Sequence, residues 1–117
     1  MQTILFLLNS APYQDERVFN ALRLATQLLK QAEVRVRIFG QSDAVYAPVR
    51  GQEPPHLKYN VATMLGEAIE GGAEVKLCGV CMDARGVKAE ALISGAARST
   101  MAELAEWTLT SDKILVF

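Results

Sequence analysis

The chain opens on an unbroken apolar run, Thr3-Ile4-Leu5-Phe6-Leu7-Leu8, which predicts a strand buried on both faces of a parallel sheet. Asn9-Ser10-Ala11-Pro12 breaks the run, and Asp15-Glu16 then puts negative charge where a helix N-terminus favours it. In that helix Val18, Leu22, Ala25 and Leu29 recur every three or four residues, the spacing of one buried stripe. Val34, Val36, Ile38 and Phe39 form a second strand closed by Gly40. Asn60 is an N-cap for a second helix, with Val61, Met64, Leu65, Ala68 and Ile69 on one face and Gly71-Gly72 as its stop. A third strand covers residues 74–78.

Other segments are less regular. Ser42-Asp43 can cap a short helix, but Pro48, Gly51, Pro54 and Pro55 forbid a long one, so residues 50–58 read as a surface loop. Between Gly79 and Ser99 the pattern is weak; Leu92-Ile93 is expected to end a short helix and a brief strand to precede Ser99. Thr100 and Glu103 have the spacing of a capping box, in which each side chain satisfies the other's backbone donor. The helix it starts runs to about Thr110, and residues 113–117 form the last strand.

Strand and helix alternate, which means right-handed crossovers and a mainly parallel α/β sheet with helices on both faces, a doubly wound, Rossmann-like single domain over residues 1–117. Ligands of such sheets collect at the carboxyl ends of the strands. Here those ends carry Asn9 to Tyr13, Gly40 to Asp43, and Cys78 to Gly86.

Composition narrows the function. A chain of 12.8 kDa exposes roughly 6,300 Å² when folded against roughly 18,600 Å² unfolded, enough burial for a core without metal or disulfide support. Twelve Lys and Arg balance 13 Asp and Glu, so no basic field invites nucleic acid or an anionic membrane. The opening run lacks a basic start and meets Asn9 within a few residues, too short to span a membrane and unlike a signal peptide. The expectation is a cytoplasmic protein with reduced thiols. Two cysteines and one histidine exclude a four-cysteine zinc site within one chain.

Cys78-Gly79-Val80-Cys81-Met82-Asp83-Ala84-Arg85-Gly86 is the most informative stretch. A thiol that ends a strand just before a helix meets backbone N–H groups and a positive dipole end, both of which favour thiolate. Arg85 adds a cation, and free N–H groups in the loop before Gly86 would hold an anion or a terminal persulfide sulfur. The competing reading is that the cysteines are small hydrophobes packed at a strand end. Three chemistries stay open: thiol–disulfide exchange by the Cys-x-x-Cys pair, a metal site for which only His56 could add a ligand, and one nucleophilic cysteine that carries sulfane sulfur as a persulfide. Asn9 and Asp43 sit at the same edge and read equally well as turn and cap residues. Tyr13 and Tyr59 can line a pocket or a subunit contact, and Trp107 reads as core or interface. The first turn has no glycine, so dinucleotide and P-loop readings are poor, and the reading includes no cofactor and no metal ligand.

The chain resembles the DsrE/DsrF-like family, and within it the small YchN-type proteins, over essentially its whole length. The resemblance lies in Asn9 with Ala11-Pro12-Tyr13, Ser42-Asp43-Ala44-Val45, Arg50-Gly51-Gln52, Tyr59-Asn60, Met64-Leu65, and Val75-Lys76-Leu77-Cys78. It continues through Cys81, Asp83, Arg85-Gly86, Glu103-Leu104-Ala105, Trp107-Thr108-Leu109 and Asp112-Lys113 to Phe117. The resemblance implies a five-stranded, mainly parallel fold and a ring-like homo-oligomer, a trimer or a hexamer built as a dimer of trimers. It also implies sulfur relay, in which persulfide sulfur passes between donor and acceptor proteins. The family's relay cysteine stands seven residues before the Arg of the Arg-Gly step, which here is Cys78. Cys81 has no counterpart in that single-cysteine pattern and is similar to the second cysteine of YchN-type proteins. The expected site is Cys78 and Cys81 as reacting thiols, Arg85 and Gly86 as stabilisers, and Asn9, Tyr13, Asp43 and Asp83 as pocket. Two further readings are a non-enzymatic oligomeric binding module with structural cysteines, and a dithiol redox protein.

Overall fold

The apolar run at the start becomes the hub of the sheet. In the computed structural model, which describes the backbone of residues 1–117 and every side chain except that of Leu57, it forms β1 (Gln2–Leu8). The order continues with α1 (Arg17–Leu29), β2 (Val34–Gly40), α2 (Val61–Glu70), β3 (Glu74–Cys78), α3 (Gly79–Ala84), β4 (Ala96–Ser99), α4 (Met101–Thr110) and β5 (Lys113–Val116). Short 3-10 turns cover Ser42–Tyr46, Leu57–Tyr59 and Ala89–Ala91.

All four strand pairings are parallel, in the order β4-β3-β2-β1-β5. β1 is bordered on both sides, with Phe6 beside Ile38 of β2 and Leu115 of β5. The first three crossovers step the same way across the sheet; the last, through α4, returns past β1 to the far edge. With right-handed connections, that reversal puts α4 on the opposite face. Packing agrees with this. Ile4, Phe6, Leu8, Ile38 and Leu77 meet Val18, Leu22, Leu65 and Met82 in one cluster, whereas Leu5, Phe39 and Cys78 meet Leu104 and Trp107 in another. Alternation along β1 thus assigns odd and even residues to different helices.

Local signals explain the helix ends. Asn60 Oδ1 accepts from the Thr63 N–H at 3.0 Å, and Thr100 Oγ1 accepts from the Glu103 N–H at 3.2 Å, as N-caps do. The reciprocal half of the Thr100–Glu103 box does not form. The Glu103 carboxylate instead accepts from the Ser99 hydroxyl at 2.6 Å and from Lys76, because a charged donor on β3 outcompetes a backbone N–H.

Residues 50–58 lie outside the regular elements apart from the start of the 3-10 turn Leu57–Tyr59, but the segment is bolted down at Gln52. Its Nε2 donates to the carbonyls of Ala47 and Val49, both at 2.9 Å. Its Oε1 accepts from the Tyr13 hydroxyl at 2.6 Å and the Ala62 N–H at 3.2 Å. The weak region after Gly79 resolves into α3, the turn Ala89–Ala91 and β4, with Leu92 following the turn and buried in the core. Among the described residues, no helix is long and apolar enough to cross a membrane.

Candidate functional site

β3 ends on Cys78, whose extended backbone (φ −61°, ψ 116°) makes it the residue from which α3 starts. Cys81 is three residues further on, in the first turn of α3. The Cys78 side chain makes no cap hydrogen bond to the α3 backbone, and Cys81 packs against the apolar cluster that holds Cys78. Cys78 is 4% exposed among Leu5, Phe39, Leu104 and Trp107. Cys81 is half-buried and touches both clusters. Both cysteines are free thiols. They line a cleft of about 340 Å³ between the start of α3 and the end of β4, together with Gly79, Arg98, Ser99 and Met101. Larger grooves exist, such as one of about 570 Å³ bordered by residues of α1 and α2, but they carry no thiol.

Each thiol has its own cation. Ser99 stands beside Cys78 in the β3–β4 register, so the preceding Arg98 reaches back over the start of α3. Its guanidinium lies against Gly79, where a Cβ would come within 2.8 Å of Cζ. It donates to both carboxylate oxygens of Asp83, each at 2.7 Å. That bidentate pair holds the Asp83 carboxyl below its usual range and the Arg98 cation above its own, with Cys78 adding a smaller electrostatic share to the latter. Arg85, by contrast, sits beside Cys81. It donates from Nε to Asp43 at 2.8 Å and from Nη1 to the Cys81 carbonyl at 3.2 Å. Burial pushes the Cys81 thiol up; a hydrogen bond from the Ser42 backbone opposes this, the Cys78 thiol adds to the rise, and the Arg85 charge lowers it again.

The structure therefore gathers Cys78, Cys81, Arg85, Asp43 and Asp83 around α3. Gly86 lies at the far end of that helix, with φ +66° and its N–H donated to the Asp83 carbonyl at 3.2 Å. Asn9 is engaged at the neighbouring strand ends, accepting from Gln41 Nε2 at 2.9 Å and donating to the Phe117 carbonyl at 3.4 Å. Tyr13 belongs to the start of α2: its hydroxyl accepts from the Val61 N–H at 3.1 Å, and its ring lies 5.6 Å from that of Tyr59. Trp107 is a core residue, edge-on to Phe39 at 6.3 Å. His56 is exposed. Arg98 is the residue that sequence reasoning missed. Setting the ends of the brief fourth strand and β3 side by side would have pointed to it. Among the described residues, no group of three or more His, Cys, Asp or Glu side chains gathers to hold a metal ion.

An all-parallel five-stranded sheet with a cysteine pair at its carboxyl edge defines a single-domain, doubly wound α/β protein with a thiol site. The sequence profile of the DsrE/DsrF-like family matches residues 2–117, and the chain belongs to that family. It is similar to protein YchN of Escherichia coli, with 45% identity over 118 residues and complete coverage of both chains. It is also similar to protein MJ0989 of Methanocaldococcus jannaschii, with 40% identity over 111 residues, 95% of this chain and 96% of the relative. The crystal structure of the E. coli YchN protein superposes with a TM-score of 0.93 over the whole of both chains at 45% identity. MTH1491 from Methanobacterium thermoautotrophicum shares the fold, with a TM-score of 0.79, complete coverage of both chains and 16% identity.

Proposed function

We propose that this protein is a sulfurtransferase-like sulfur carrier that holds sulfane sulfur as a persulfide on Cys78. The observation that carries the reading is Cys78 at the edge of a cleft whose other wall supplies the Arg98 cation. The Cys78 thiolate attacks the terminal sulfur of a donor persulfide. A new S–S bond forms on Cys78, the donor's S–S bond breaks, and the donor leaves as its thiolate. An anionic terminal sulfur in the cleft is offset by Arg98, with Arg85 more distant on the Cys81 side. Donor and acceptor proteins in the cytoplasm are the partners of this reading.

Cys81 gives the carrier a discharge route, favoured by its place three residues on, packed against the cluster that holds Cys78 and lining the same cleft. Attack of the Cys81 thiolate on Cys78 Sγ expels hydrosulfide and leaves a Cys78–Cys81 disulfide, so that the dithiol is oxidised as the sulfane sulfur is reduced. A homo-oligomer, a trimer or hexamer, also belongs to the proposal. It is supported by the apolar side chains that α4 and the edge strand β5 leave exposed, Leu109 at 86% and Val116 at 65%.

The test is mass spectrometry of the alkylated protein after incubation with a persulfide donor. Labelling of the Cys78 peptide by one added sulfur is expected. Equal labelling of Cys78→Ser overturns the relay. Thiols that resist alkylation in the native oligomer would favour instead a binding module with structural cysteines.

A further inference from the structure

The cleft beside Cys78 contains more sulfur than a persulfide carrier needs. Besides the two cysteines, its lining includes Met101, the first residue of α4, 58% exposed on a long flexible side chain that carries a thioether. Cys78, Cys81 and Met101 come from three places in the chain, the end of β3, the first turn of α3 and the start of α4, and line one cleft only in the fold. No carboxylate or imidazole lines this cleft. Soft thiolate and thioether donors with few hard neighbours select Cu(I) over ions that prefer oxygen or nitrogen.

We propose that Cys78, Cys81 and Met101 form a binding site for a soft monovalent cation, Cu(I) in the first place. On binding, each thiol releases its proton to solvent and two Cu–S bonds form, with Met101 as a neutral third donor. No electron is transferred. The bis-thiolate complex carries one net negative charge, and Arg98, which lies against Gly79 and lines the same cleft, is placed to offset that charge. A tetrahedral zinc ion would need a fourth donor, whereas low-coordinate Cu(I) is complete with these three. The site shares its thiols with the proposed relay but does not rest on it, since it needs no sulfur donor.

The test is an anaerobic Cu(I) titration of the full chain against the chromophoric chelator bathocuproine disulfonate, with native mass spectrometry for stoichiometry. One Cu(I) per chain, retained against the chelator, is expected. Cys81→Ser, at a half-buried position that tolerates the change better than Cys78, should lose that retention. Met101→Leu should weaken binding by about tenfold, the low end of what losing a supporting metal contact costs. Retention by Cys81→Ser equal to that of the parent overturns the site, as does one copper per two chains or a Met101→Leu variant that binds as tightly as the parent. Loss of persulfide labelling alone would overturn the relay and leave the copper site standing.

Discussion

Arg98, which lines the thiol cleft, forms a bidentate pair with Asp83, with both nitrogen–oxygen distances 2.7 Å. They are 15 residues apart, one on β4 and the other on α3. The pair is open to solvent on both sides, with side chains 46% and 64% exposed, so it adds little to stability. Its consequence is positional: it holds a cation flat on Gly79, next to Cys78.

That position predicts a reagent-charge effect. Arg98→Gln removes the cation, and Gly79→Ala pushes it off, since a Cβ at Gly79 would sit 2.8 Å from Arg98 Cζ. Both variants should favour neutral iodoacetamide over anionic iodoacetate at Cys78 by several-fold relative to the parent. The far end of a flexible arginine moves at little cost, so the unfolding midpoint of Gly79→Ala should stay close to that of the parent. An unchanged reagent ratio in both variants would remove Arg98 from the site.

The Gln52 bolt predicts a stability effect. One side chain joins the Tyr13 hydroxyl, the start of α2 and the carbonyls of Ala47 and Val49. Gln52→Ala leaves several partly buried groups unpaired and should cost about 2 kcal/mol. Tyr13→Phe should cost about 1 kcal/mol. The two losses should not add, because the Tyr13 hydroxyl donates to Gln52 Oε1 at 2.6 Å. Urea unfolding of both single variants and the double variant measures the coupling.

These relationships mark the boundary of what the sequence discloses. β1, the Asn60 cap and the end of β3 at Cys78 are legible because their signals are local: an apolar run, a cap with its donor three residues on, a strand followed by glycine. The sheet direction follows from alternation alone. Arg98–Asp83, Gln52–Tyr13 and Glu103–Lys76 were not legible, because each partner choice depends on which strand ends lie side by side. Arg85 illustrates the cost. Sequence proximity assigns it to both cysteines of the motif, whereas the turn of α3 aims it at Cys81 and at Asp43, which is 42 residues away.

Acid sensitivity should reside partly at Glu103. Its carboxyl is held below its ordinary value of 4.5, first by the hydrogen bond from Lys76 and then by that from Ser99. A carboxyl depressed in the folded state contributes stability that is complete above its unfolded value and is lost as pH falls through the lower folded value. Glu103→Gln should therefore be less stable than the parent at neutral pH, and the difference should shrink as pH drops below 4.5. Thermal unfolding at a series of pH values measures this; a gap that stays constant into acid would assign the loss to packing.

Arg37 carries the least intuitive expectation. It is 7% exposed and has no carboxylate partner among the described residues. Nη1 donates to Thr110 Oγ1 at 2.8 Å, to Ser111 Oγ at 3.3 Å and to the Trp107 carbonyl at 3.5 Å, while the guanidinium lies 5.4 Å from the Trp107 ring centre. The cation thus neutralises the C-terminal end of α4, but its Nε has no partner among the described residues. Its acceptors do not depend on it: the Thr110 hydroxyl also donates to the Glu106 carbonyl at 2.8 Å, and the Ser111 hydroxyl to the Trp107 carbonyl at 2.5 Å. Arg37→Met keeps the packing volume, removes an incompletely satisfied buried charge and strands no neighbour, so it should change stability by less than about 1 kcal/mol. Arg37→Ala opens a cavity under Trp107 and should cost about 2–3 kcal/mol. The chain has a single tryptophan, so Trp107 fluorescence in urea follows both variants. If Arg37→Met proves as costly as Arg37→Ala, then the charge, and not the side chain's bulk, holds α4 to the sheet.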